Sequence, residues 1–374
     1  MAENELTITV HDSERLTVGR TDGRDSEEDA VALDALRRDT IVMFQRWLGE
    51  DKGKITYRPD LEVLGKHLYS VLFSGKAGEA LNDMLGRGEG GDRLRLQLDF
   101  RDGAVSLARY PWEFLYHPTK QWFFSTGVDL VLSRFLRSEV PRADAVVGDD
   151  YTLRLLVVVS EPSDLDPVLD QPVLEAIEKV AESQPLEVKA VRQPTVDKLL
   201  EELEAFTPHI VHFIGHGRYN DGQNRAEIAL LAPDEDTVEW IPEHSFAEYF
   251  PNAGSIPRLV FLHLCESSRG DPRLSFAGFA PRLVHVGVQA VVAMQFPITN
   301  LAAIAFSRAF YRELAKGTPV DQAVQTGRWR ITTSDTTAYD SRVFGTPVLY
   351  MRSRDGIIRP LAQRAGVSGG SVGQ

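Results

Sequence analysis

Two short segments carry most of the chemistry in this sequence. In HIVHFIGHGRYND (209–221), His216 sits between two glycines just past an apolar, β-branched run. In RLVFLHLCESSRGD (258–271), the chain's one cysteine, Cys265, follows a second such run. A free thiol titrates near ~8.5 and is little ionised at neutral pH. A neighbouring imidazole removes that proton, and can later return it to a leaving amine. An acyl intermediate also needs donors for its oxyanion, and a glycine lets a backbone N–H come close to a substrate. The N–H groups of Gly217 and Cys265 are the candidate donors. Gly215 and Gly217, flanking the base, suit a sharp turn that exposes the imidazole.

Both segments depend on the elements that end in them. The run RLLVVVS (154–160) is continuous and β-branched, as in a strand buried on both faces. The spacing then predicts a helix near 170–183, a strand at 186–191, a helix at 195–206 and a strand at 209–214. Further strands fall at 227–231, 258–264 and 290–296, with helices at 242–250, 275–286, 299–316 and 319–331. Such alternation implies a mostly parallel sheet covered on both sides, with reactive groups beyond the carboxyl ends of its strands. His216 and Cys265 would then share one rim. Upstream, strands are expected at 6–11, 93–100 and 128–136. Helices are expected over Ser26–Trp47, where Leu33, Leu36, Met43, Phe44 and Trp47 share a face, and over Leu61–Leu85. The polar stretch SEVPRADAVVGDD (138–150) reads as a linker. It divides an amino-terminal domain (1–137) from a second domain (151–355). The Gly/Ser-rich tail (356–374) is expected to be disordered at its end.

A lone cysteine is usually a buried core residue, but Cys265 is followed at once by the polar ESSRGD. His209, His212 and His216 do not make a metal site, because positions 209 and 212 fall on opposite faces of a strand and no acidic or thiol ligand accompanies them. Asp221 and Asp271 lie in polar loops and receive no role. GHGRYNDG lacks the GxxxxGK[ST] pattern of a phosphate-binding loop. In PWEFLY (111–116), Trp112 and Phe114 are expected to pack a junction between the two halves.

Composition narrows the function classes. The 374 residues carry a net charge of −13, so direct binding to nucleic acid is not expected and a basic or neutral protein partner is easier to accommodate. One cysteine precludes disulfides within the chain, which fits a reducing compartment. No apolar run reaches the ~18 residues needed to span a bilayer, and MAENELTITV has no basic region followed by an apolar stretch. A cytoplasmic location without membrane contact is expected.

The segments HFIGHG, FLHLCESSRG, GVQAVVAMQFPITN and AFYRELAKGTPVDQAV resemble the CHAT domain, a member of the caspase and separase group of cysteine peptidases. YPWEFLY and the strand ending in SRFL resemble the amino-terminal part that often accompanies it. The 49 residues from His216 to Cys265 match the caspase spacing of about 50. The resemblance implies an α/β fold: a caspase-like three-layer α/β/α domain preceded by a mixed α+β domain, itself a degenerate relative that cannot share the chemistry because it has no cysteine. It implies His216 as base, Cys265 as nucleophile and no cofactor. His263 and Glu161 would neighbour the pocket for the side chain before the scissile bond. Asn300 stands where family members often have an acidic residue, with consequences for substrate preference. FGTPVLY lacks the tryptophan common before the final strand. The implied function is an endopeptidase acting on a protein substrate and switched on by a protein partner, in bacterial stress, cell death or antiviral defence. The alternatives are a catalytically silent CHAT scaffold that acts by binding, and a non-peptidase hydrolase or transferase on the same sheet.

Overall fold

The computed structural model describes residues 4–21, 26–49, 57–86, 93–140, 152–168, 170–233, 237–266, 272–296, 298–334 and 342–358. The first half contains β1 (Glu5–Val10), β2 (Arg15–Arg20), β3 (Glu27–Ala30), α1 (Ala35–Gly49), α2 (Arg58–Leu72), α3 (Lys76–Gly86), β4 (Leu94–Phe100), α4 (Val105–Ala108), β5 (Tyr116–His117), β6 (Trp122–Phe123) and β7 (Leu130–Phe135). The second contains β8 (Leu153–Val159), α5 (Gln171–Ala181), β9 (Leu186–Arg192), α6 (Val196–Phe206), β10 (Ile210–Asn220), β11 (Arg225–Leu231), β12 (Val238–Pro242), α7 (Glu243–Asn252), β13 (Leu259–Glu266), α8 (Pro272–His285), β14 (Ala290–Met294), α9 (Asn300–Ala315), α10 (Val320–Ser334) and β15 (Pro347–Met351).

Among the described residues, thirteen strands form one sheet in the order β12-β11-β10-β13-β14-β15-β7-β4-β1-β2-β3, with β8 paired to β10 and β9 beside β8. The strands β9, β8, β10, β13 and β14 run parallel, as their apolar, β-branched sequences require of strands covered on both faces. Alternate residues feed two cores. Ile210, Ile214, Leu259, Phe261 and Val292 face α5, α9 and α10, in a core that continues through the first half. Val211, Phe213, Val260, Leu262 and Val291 face α6, α7 and α8. The result is a sheet between two helical layers.

The two halves share this sheet. Strand β15 lies parallel to β7, with Tyr350 opposite Arg134 and Met351 opposite Phe135. Most of the proposed linker and of the tail lies outside the described residues. Trp112 and Phe114 are fully buried in the shared core, and Phe114 packs edge-on to Phe344.

Three local expectations change. The segment expected as one helix from Ser26 begins as an edge strand, β3, paired antiparallel to β2. The helix starts only at Ala35, where Asp34 Oδ1 accepts the Arg37 N–H at 2.8 Å and caps it. The sheet also gains antiparallel members: β10 turns back into β11, β11 into β12, and β15 runs against β14. Finally, β10 does not stop at Ile214. It continues through His216 to Asn220, because its last four residues find partners in β11.

Candidate active site

The dyad candidates lie on neighbouring strands in register. Strands β10 and β13 pair in parallel from Ile210↔Leu259 to Gly217↔Glu266, which puts His216 directly opposite Cys265. Adjacent strands run about 4.8 Å apart, and position 265 shares parity with Phe261 and His263, as position 216 does with His212.

The other edge of β10 forks at this point. Residues Ile210–Ile214 pair with β8, and Ser160 N–H donates to the Ile214 carbonyl at 2.9 Å before the chain departs. From Gly217 onward, β11 takes that edge. His216 therefore sits where one partner strand leaves and another arrives, the kind of gap in which α/β sheets bind ligands.

The flanking glycines serve this packing and not a turn. A Cβ on Gly215 would lie 2.9 Å from the Ser160 carbonyl oxygen, and one on Gly217 would lie 2.7 Å from Leu264 Cδ1. The expectation of an exposed imidazole on a sharp bend is corrected accordingly: His216 is in a strand and only 1% exposed.

The His216 ring is held from one side. Its Nε2 lies 2.7 Å from the carbonyl oxygen of Asp166. A carbonyl only accepts, so in the neutral ring Nε2 carries the proton and Nδ1 holds the lone pair. Nδ1 is buried and has no hydrogen-bond partner among the described residues. The loop that presents the Asp166 carbonyl follows β8 and is braced at both ends. The side-chain amide of Gln193 accepts from Glu161 N–H and donates to the Glu161 carbonyl, both at 2.8 Å. Glu161 Oε1 accepts the Val168 N–H at 3.0 Å, and Leu165 N–H donates to Pro162 O at 3.0 Å. Val168 then anchors the loop in the core.

The remaining residues singled out in the sequence fall as follows. His263 is buried two positions before Cys265, its ring 5.9 Å from that of His212 and 6.2 Å from that of Phe261. Burial pushes its pKa down to about 4. His212 stacks on Phe261 at 4.1 Å and 5°. Burial, reinforced by His263, holds His212 well below the usual histidine range, and neither of its ring nitrogens has a partner among the described residues. The Tyr311 ring lies 5.8 Å from His212, with its hydroxyl likewise unpartnered. His209 lies apart, where its Nδ1 accepts the Arg154 N–H at 3.1 Å. Among the described residues, no group of three His, Cys, Asp or Glu side chains could hold a metal ion.

Glu161 is engaged in the loop that presents the Asp166 carbonyl to His216 and does not stand free in a cleft. Asn300 is exposed at the first position of α9, behind the capping Thr299, on the element that follows β14. Asp221 lies in the β10–β11 turn, where its carbonyl accepts from Asn224 N–H, and Asp271 is outside the described residues. The sequence reading missed Asp166 and Gln193. Asp166 acts through a backbone carbonyl, which no side-chain pattern announces.

The model of the CHAT domain family matches residues 62–353. The chain belongs to the CHAT domain family. A comparison with curated proteins found no match for this CHAT chain. Among solved structures it is similar to the Saccharomyces cerevisiae separase–securin complex, with a TM-score of 0.50 and 11% identity over 94% of this chain and 30% of that one. It is similar to the Arg-specific cysteine proteinase gingipain R, with a TM-score of 0.48 and 12% identity over 80% and 71% of the two chains. It is also similar to the Drosophila initiator caspase Dronc, with a TM-score of 0.37 and 7% identity over 57% and 84%. The chain thus spans under a third of the separase–securin chain it matches, and at such identities the likeness is one of fold: the α/β architecture of caspase-like cysteine proteases. Among the described residues, no helix is long and apolar enough to cross a membrane.

Proposed function

We propose that this CHAT chain is a cysteine endopeptidase in which His216 is the base and Cys265 the nucleophile. The observation that carries this reading is the register of β10 against β13, which sets His216 opposite Cys265 while the Asp166 carbonyl leaves Nδ1 as the ring's free lone pair. In this mechanism Nδ1 takes the thiol proton of Cys265. The thiolate attacks the substrate carbonyl carbon, and the N–H groups of Gly217 and Cys265 hold the oxyanion. Nδ1–H then protonates the leaving amine as the C–N bond breaks. Water, deprotonated by His216, hydrolyses the thioester and restores the thiol.

His263, and more remotely Asn300 and Glu161, are proposed to bear on the side chain accepted before the scissile bond. Activation by a protein partner fits the near-complete burial of His216 beneath the loop after β8, which a substrate has to displace or a partner has to move. The division into an amino-terminal domain over 1–137 and a peptidase domain over 151–355 is proposed as one of function, with the common sheet transmitting the partner's effect.

A peptide probe with a thiol-reactive warhead tests this reading. Cys265 is the chain's one thiol, so Cys265→Ala serves only as the blank. Labelling that is fast in the native chain and slowed in His216→Ala supports the reading, and labelling at the same rate in both overturns it and leaves the silent scaffold in its place.

A further inference from the structure

A cavity of about 630 Å³ opens against α8, and none of the residues discussed above as dyad or pocket lines it. Its size falls within the range of small-molecule sites. One wall belongs to the first half of the chain and includes Asp99, Arg101, Arg109 and Arg137. The other belongs to the second half and includes Tyr219 and Glu243.

The polar groups of the two walls are incompletely matched, and in opposite senses. Asp99 Oδ2 lies 3.1 Å from Arg137 Nε and 3.4 Å from Arg101 Nη2, so one carboxylate serves two guanidinium groups. Arg101 Nε is buried with no acceptor, and the Arg109 guanidinium has no ion pair or hydrogen bond among the described residues. Across the cavity, Glu243 is 9% exposed and its Oε2 is buried with no donor among the described residues. Buried polar atoms in folded proteins are almost always satisfied, and a charged one left alone is costly. A donor unsatisfied on one wall and an acceptor unsatisfied on the other call for a guest that is dipolar.

We propose that this cavity binds a small dipolar organic anion. Its phosphate or carboxylate is held by Arg101, Arg109 and Arg137, whose planar forks match such groups. An N–H donor on the same molecule is held by Glu243. Tyr219 supplies an aromatic surface for the body of the ligand. The guest joins the first half of the chain to α8, which begins seven positions after Cys265, and to the hairpin that extends β10 past His216. Nucleoside monophosphates and acidic dipeptides both carry this chemistry. The inference concerns binding and does not require the chain to be a peptidase.

The full chain is to be melted with nucleoside monophosphates in one arm and with Lys-Glu and Ala-Glu dipeptides in the other, each at up to about 5 mM. The expected result is a rise of a few degrees in Tm within one arm, which also identifies the source. By calorimetric titration, Arg109→Ala and Glu243→Gln are each expected to weaken that ligand about tenfold or more. Arg109 is exposed, so its variant keeps the fold, and the unliganded melting curve of each variant checks this. No stabilisation in either arm, or binding that survives both substitutions, overturns the proposal.

Discussion

The seam between the two halves and the floor beneath His216 are both buried and both polar, yet they are finished differently. At the seam, every guanidinium nitrogen of Arg134 is bonded: Nε and Nη2 to Glu113 at 3.0 and 2.6 Å, Nη1 to the Ala108 carbonyl at 2.7 Å. Gln295 closes the network by donating to Glu113 at 2.9 Å and to the Gly345 carbonyl at 2.7 Å. Burial opposes the charge on Arg134, but the Glu113 carboxylate more than offsets it and holds the guanidinium above its ordinary value. Fully buried Arg328 meets the Pro347 and Leu132 carbonyls, with burial lowering its pKa to about 10. Under the candidate dyad, by contrast, His212, His263 Nδ1, His216 Nδ1 and the Tyr311 hydroxyl have no partners among the described residues. Around Arg134 and Glu113, geometry saturates the polar groups that meet at the seam. Where they are left open among the described residues, they are free to take up water, a proton or a substrate.

The contrast breaks most visibly at the dyad. Cys265→Ala is expected to abolish labelling by a thiol-reactive peptide, and His216→Ala to slow it by about 10²–10⁴-fold in chains that remain folded. A His216→Ala chain that unfolds but labels normally would place His216 with the seam residues instead.

The next largest effect is expected at the seam itself. Arg134→Ala leaves Glu113 buried and uncompensated, at a cost of about 3–5 kcal/mol by denaturant titration. Replacing both partners, as in Arg134→Met with Glu113→Leu, should recover much of that loss. A single substitution costing under ~1 kcal/mol would show that the network does not join the halves.

The floor is expected to reveal itself by pH. The folded-state pKa of His263 is about 4, below the ~6.5 of the unfolded chain. Across that window the unfolded state binds more protons, so stability is complete above ~6.5 and falls as pH drops toward ~4, by roughly 3 kcal/mol. His263→Phe should flatten this part of the stability profile. An unchanged slope would mean that other groups carry it.

The smallest expected effect sharpens the account of the glycines. Gly217→Ala forces a methyl against Leu264 and should cost about 1–3 kcal/mol, with partial rescue by Leu264→Ala. No cost in thermal unfolding would return Gly217 to the sharp turn expected from the sequence.

What was legible in the sequence follows the same division. The strands β8, β10 and β13 announced themselves because burial on both faces demands continuous apolar runs, and the CHAT resemblance rested in part on the segments that end β10 and β13. The partners of Glu113 were not legible: Arg134 and Gln295 lie 21 and 182 residues away, and only the sheet brings them together. Edge strand β3 is not legible as a strand because EEDA carries no apolar alternation. The last four residues of β10 are not legible as strand because their reason to stay extended is a partner strand, β11, and not their own composition. The Asp166 carbonyl had no signal at all, being backbone positioned by a loop that Glu161 and Gln193 hold.

The most direct test is the pH dependence of Cys265 alkylation by iodoacetamide, compared between the native chain and His216→Ala. If the imidazole and the thiol act together, the native rate should level off at a pH below the ordinary thiol value of ~8.5, and the variant should titrate near that value with slower alkylation at neutral pH. Superimposable profiles in the two chains would contradict the pairing on which the account rests.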